Sequence, residues 1–117
     1  MNTIVEISNR LASLVGEQRF VEAYSELFSE HAESIDPINN NVPIVGLAFL
    51  IEREKQFLAV TEIHDINVSP ISYAGNYFSI VISMDFTGGN MERKKLEELC
   101  VYKVENGKIA SQQFFIG

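Results

Sequence analysis

Residues 77–87, YFSIVISMDFT, alternate without a break. Phe78, Ile80, Ile82, Met84 and Phe86 fall on one side; Tyr77, Ser79, Val81, Ser83 and Asp85 fall on the other. A period of two puts successive side chains on opposite faces of a strand. The segment therefore reads as a long strand with one apolar face. Such a strand needs paired neighbours and a layer to cover that face. The flanking sequence supplies the neighbours. Gly88-Gly89-Asn90 is a hairpin signal. Residues 91–99, MERKKLEEL, have helical propensity, but they sit between that turn and the β-type run CVYKV, so 91–105 reads as one strand. Glu105-Asn106-Gly107-Lys108 suits a two-residue type I′ connection, and Ile109–Ile116 is the last strand. Upstream, Glu62–Ser69 alternates, with His64, Ile66 and Val68 on one side and Asp65, Asn67 and Ser69 on the other, until Pro70.

The covering layer comes from the N-terminal half. Thr3 and Glu6 form a capping box, and Ile4, Ile7, Leu11 and Leu14 share a helical face that stops near Gly16. Phe20, Ala23, Tyr24, Leu27 and Phe28 form the stripe of a second helix, giving a helical hairpin across Gly16. Ala32–Asp36 reads as a short extended segment. Ile38–Val45, with three consecutive asparagines and Pro43, reads as a mobile loop. Gly46 opens a third helix to about Thr61, with Leu47, Leu50, Ile51, Phe57 and Leu58 as its stripe and Glu54 inside that stripe. The order is helix, helix, short strand, helix, then a four-stranded meander. Helices gathered on one face of an antiparallel sheet define an α+β fold.

A chain of 117 residues with 46% hydrophobic and 21% charged side chains fits one folded domain over residues 1–117. The formal net charge of −7 argues against nucleic acid and anionic membrane as partners, since phosphate binding needs clustered Lys and Arg. Arg93-Lys94-Lys95 is too small a basic run to alter this and reads as a solvated edge. The first residues lack the pattern of a signal peptide, so a cytoplasmic protein is expected. A single cysteine, Cys100, excludes an intrachain disulfide, and two histidines leave no zinc-ligand spacing, so no metal or cofactor is expected.

The element order and three stretches, FVEAYSELFSEHAESIDP, the Gly46 helix start and VYKVENGKIASQQFF, resemble the nuclear transport factor 2-like superfamily, and within it the SnoaL-like domains. The resemblance implies a cone-shaped α+β barrel, three helices packed on a curved, mostly antiparallel sheet around a pocket. It also implies a role for Asp36. In the ketosteroid isomerases of the superfamily an Asp-Pro after the first strand carries the general base, and Asp36-Pro37 matches it. The alternative is that Asp36 accepts backbone hydrogen bonds at a strand end. The isomerases' oxyanion donors do not carry over: their positions fall at Leu11 or Ala12 and at or beside Cys100. Loss of one such donor costs ~10²–10³ in rate, which counts against a true ketosteroid isomerase.

Other candidates come from the residues. A carboxylate on an apolar stripe must be paired or wet, so Glu54 is either a pocket group or solvated. His64 shares its predicted face with Ile66 and Val68, and a Glu54–His64 pair would make an acid–base unit. Glu98, Cys100 and Tyr102 share one strand face. Tyr102 or Tyr24 can donate a hydrogen bond to a ligand, with Ile80, Ile82 and Met84 as pocket walls. Cys100 reads as packing, with no cation or helix start to activate it.

Three functions fit: a cofactor-independent isomerase, cyclase or dehydratase acting on a small hydrophobic substrate; a non-catalytic binder of such a molecule; or a protein-interaction module. The alternation also leaves Tyr77, Val81, Phe114 or Phe115 on an outward sheet face, so a homodimer is expected.

Overall fold

The computed structural model describes residues 3–117. The chain runs through α1 (Ile4–Gly16), α2 (Phe20–Leu27), β1 (Phe28–Ile35), a 3₁₀ turn (Pro37–Asn39), β2 (Ile44–Val45), α3 (Leu47–Ala59), β3 (Glu62–Val68), β4 (Ser72–Ala74), β5 (Tyr77–Thr87), β6 (Arg93–Glu105) and β7 (Lys108–Ile116). The capping box of α1 is present: Glu6 N–H donates to Thr3 Oγ1 at 3.1 Å and Thr3 N–H to Glu6 Oε1 at 3.0 Å. Ile7, Leu11, Leu14 and Val15 bury one face of α1. Gly16 is still helical; the chain turns away at Gln18, which takes the left-handed φ of 63°. Gly46 opens α3 with a φ of 115°, a region L side chains seldom adopt.

Strand order is β2-β1-β7-β6-β5-β3, with β4 on the free part of β5. The β1–β7 pairing is parallel and the others are antiparallel. The two ends of this order, β2 and β3, do not pair, so the cone is an open curved sheet and not a closed barrel. Residues 93–105 form the single strand expected from the sequence. Asn106 and Gly107, with φ of 52° and 75°, make the expected two-residue turn, with Glu105 paired to Lys108.

Several local expectations are corrected. Phe28 is not in the second helix; it starts β1, paired with Ile109, so the strand begins four residues before Ala32. Residues 38–45 are not all loop: they include the end of the 3₁₀ turn and all of β2, whose Ile44 pairs with Ser34. β4 was not anticipated. It lies beside α1, where Tyr73 Oη and Ser8 Oγ are 2.6 Å apart. His64 leaves the predicted face because the β3–β5 register shifts between Ile63 and Asp65. That bulge puts one extra residue in the strand and reverses its phase. Ile63, Ile66 and Val68 then turn inward, and His64 is exposed.

Register sets the inner face of the sheet. Ser34, Gln112, Tyr102 and Phe78 lie side by side across β1, β7, β6 and β5. Phe114, Cys100 and Ile80 form the next row, and Ile116, Glu98, Ile82 and Val68 the one after. The helices cover these rows and build the core with them. Among the described residues no helix is long and apolar enough to cross a membrane.

Candidate functional site

The helices do not fill the whole concave face. A cavity of about 460 Å³ remains between α1, α2 and α3 and the sheet, within the range of small-molecule pockets. Its walls carry Phe20, Tyr24, Phe28, Phe57, Phe86, Tyr102 and Phe114, with Leu11, Val15, Ile82, Met84, Leu96 and Ile116 between them. The aromatic rings meet at steep angles. Tyr24 and Phe28 have centroids 4.7 Å apart at 52°, and Phe28 and Tyr102 are 6.4 Å apart at 81°. Phe57 of α3 meets Phe86 of β5 at 6.2 Å and 61°.

The polar groups form a chain along one wall. Gln112 Nε2 donates to Tyr24 Oη at 2.7 Å and to Ser34 Oγ at 2.9 Å. Arg53 Nη2 donates to the same Ser34 Oγ at 3.2 Å, and Arg53 Nη1 donates to Asp36 Oδ2 at 3.2 Å. Asp36 caps the 3₁₀ turn, its Oδ1 accepting Asn39 N–H at 3.0 Å. Both Asp36 oxygens are therefore engaged, one by the backbone and one by a guanidinium. Because Tyr24 Oη accepts from Gln112, its own proton is left to donate elsewhere. Burial and the Glu54 charge push the Tyr24 phenol up to about 12, so it stays a neutral donor.

Glu54 and Glu98 also line the cavity. Burial pushes the Glu54 carboxyl up to about 7; Arg53 opposes this and Glu98 adds to it. Glu98 is raised too, first by burial, then by Asp36, against a contact from Cys100 Sγ, 3.7 Å from Glu98 Oε1. Glu98 reaches the cavity because β6 presents Leu96, Glu98, Cys100 and Tyr102 on one face. Among the described residues no group of three or more His, Cys, Asp and Glu side chains could hold a metal ion.

Of the residues singled out in the sequence, Asp36, Glu54, Tyr24, Ile82, Met84, Glu98 and Tyr102 border the cavity. Ile80 and Cys100 do not. At 1% and 0% exposure they sit in the packed cluster with Ile7, Leu11 and Leu14. Burial and the Glu98 charge hold the Cys100 thiol well above its ordinary value, the reverse of an activated nucleophile. His64 lies outside the cavity, with Nε2 2.7 Å from Thr87 Oγ1, so the expected Glu54–His64 unit does not form. Sequence reasoning missed Arg53, Ser34 and Gln112. Gln112 had a signal: it alternates with Phe114 and Ile116, a polar side chain on an apolar strand face.

A mostly apolar cavity with a few inward polar groups thus lies under the open curved sheet of an α+β fold. The chain belongs to the SnoaL-like domain family, whose model matches residues 2–116. It is similar in structure to a Mesorhizobium loti protein assigned as a SnoaL-like polyketide cyclase, with a TM-score of 0.88, 23% identity, and 97% of this chain and 98% of that one covered. A nuclear transport factor 2-like protein of unknown function from Burkholderia xenovorans aligns with a TM-score of 0.78 at 16% identity, over 97% and 82% of the chains. A Catenulispora acidiphila protein with a ketosteroid isomerase-like fold, solved with trimethylamine, aligns at 0.74 and 14% identity, over 94% and 84%. No curated protein matches the chain in sequence.

Proposed function

We propose that the protein binds a small, largely apolar molecule in this cavity, packed by the aromatic walls and oriented by the Tyr24 hydroxyl and the Glu54 carboxyl. One observation carries the reading: a cavity of about 460 Å³ is left open where α1, α2 and α3 meet the sheet, although the core beside it is closed. Cores pack densely, so a void of this size is an unusual feature for a domain without a ligand. The trimethylamine held by one neighbour of the same fold supports small-molecule binding. In this reading Asp36 acts through Arg53, holding the guanidinium against Ser34, and is not the proton acceptor. Titration of ¹⁵N-labelled protein with toluene tests the pocket. Saturable shifts at Tyr24 and Phe114 are expected, lost on Ile82→Trp, which fills the void. Toluene shifts that are absent, or that survive Ile82→Trp, would sink the reading.

A second reading, cofactor-independent acid–base catalysis of the isomerase, cyclase or dehydratase type, is favoured by Glu54. A carboxyl near 7 exchanges protons readily at neutral pH. It predicts a pH–rate profile bending near 7 and loss of turnover in Glu54→Gln, with Asp36→Asn close to wild type. A substrate turned over equally well by Glu54→Gln would remove it.

A further inference from the structure

Four charged side chains border the cavity: Asp36, Arg53, Glu54 and Glu98. The single cation is committed, with Nη1 on Asp36 and Nη2 on Ser34. Among the described residues no cation pairs with Glu54 or Glu98. Two unpaired, partly buried carboxyls beside apolar walls are costly as charges, a cost offset either by protonation or by a cationic partner. The aromatic walls favour the same kind of partner. Tyr24 is tilted 52° from Phe28, and Phe28 81° from Tyr102, so the three rings that border the cavity lie in different planes; one face of Tyr102 is covered by Phe78, stacked on it at 4.9 Å. Phe57 and Phe86 add a second angled pair. Ring faces attract cations, most strongly where water is excluded.

We propose that the cavity takes a hydrophobic molecule carrying an ammonium group, with the cation seated among the tilted rings and against Glu54 and Glu98. This rests on the pocket reading above and adds the ligand's charge. An anion would meet two unpaired carboxyls and no free guanidinium. A neutral ligand would bury both carboxyls further and leave protonation as their only compensation.

The two ligand types give opposite pH responses. Glu54 is faced by Arg53 on its own helix, Tyr24 on α2 and Glu98 on β6; Glu98 in turn is faced by Asp36 at the end of β1 and by Cys100. A permanent cation favours the ionised carboxyl, so its affinity rises with pH through about 7. A neutral molecule favours the protonated carboxyl, so its affinity is flat or falls over the same range.

Phenyltrimethylammonium and tert-butylbenzene test this, since they differ only in a charged nitrogen replacing a carbon. The full chain is titrated with each between about pH 5.5 and 8.5. At the alkaline end the ammonium compound is expected to bind about tenfold tighter than its isostere. Its affinity should fall by up to roughly thirtyfold toward the acid end, in step with protonation of a group near 7. Glu54→Gln should lose this pH dependence, with its circular dichroism spectrum and urea transition reporting that the variant folds. If Glu54→Gln does not fold, Glu98→Gln carries the same test, with a reduced ammonium preference expected. Equal or tighter binding of tert-butylbenzene at alkaline pH overturns the ammonium proposal and leaves the pocket reading intact. Failure of both probes to bind overturns both.

Discussion

Replacing Glu54 by Gln should stabilise the protein at alkaline pH and leave it nearly unchanged in acid. The folded state holds the Glu54 carboxyl near 7, against 4.5 for the ordinary side chain, because its charged form is poorly solvated in the cavity wall. The folded protein therefore binds this proton more tightly than the unfolded chain does. The stability this gives is fully present below about 4.5 and is lost as pH rises through about 7. The distance between those values converts to about 3 kcal/mol at 1.36 kcal/mol per pH unit. Gln cannot ionise, so it avoids that cost, but its amide also needs partners in the cavity. A net gain of about 2 kcal/mol at pH ~8 is expected, falling to about zero at pH ~5. Glu98 is raised in the same direction and makes the wild-type decline with pH steeper. Glu6, Glu17, Glu26 and Asp85 are lowered by their partners, so their effects appear only in acid, as pH falls through the folded values. Urea unfolding followed by circular dichroism across this pH range gives the difference directly. A difference between Glu54→Gln and wild type that does not change with pH, or a loss of stability at pH ~8, would refute the argument.

Three further outcomes are expected. Asp36→Asn keeps an acceptor for Asn39 N–H and loses only the charge of its partly buried ion pair to Arg53, so it should cost about 1 kcal/mol in urea and leave toluene affinity within about twofold. Gln112→Leu removes the buried donor shared by Tyr24 and Ser34 and should cost about 2 kcal/mol or more by the same assay; a neutral result would mean that water replaces the amide. We also propose a homodimer through the outer sheet face, where Val81, Leu99 and Phe115 lie side by side on β5, β6 and β7 and the last two are 40% and 48% exposed. Sedimentation should then give twice the 13.2 kDa chain mass, reverting to monomer in Leu99→Lys; a wild-type monomer at micromolar concentration excludes it.

What the sequence determined by itself is local. The Thr3–Glu6 cap, the unbroken alternation of residues 77–87 and the Asn106-Gly107 turn each depend on residues a few positions apart, and each is present in the fold. Residues 93–105 form a strand against their helical propensity, because the turns on both sides force pairing with β5 and β7. Glu54 was legible for the same reason: a carboxyl inside an apolar stripe contradicts the pattern around it.

Tertiary structure decided the rest. The β3 bulge that expels His64 exists only in the pairing with β5. The engagement of Asp36 depends on Arg53, which reaches it from another element. β1 becomes a full strand because β7 lies parallel beside it. The polar wall joins Gln112 to Tyr24 and Ser34 across 88 and 78 positions of chain. Periodicity reports which face of its own element a side chain takes. Which side chains then meet depends on the register between distant strands and the seating of helices on them, and that is set by packing of the whole chain.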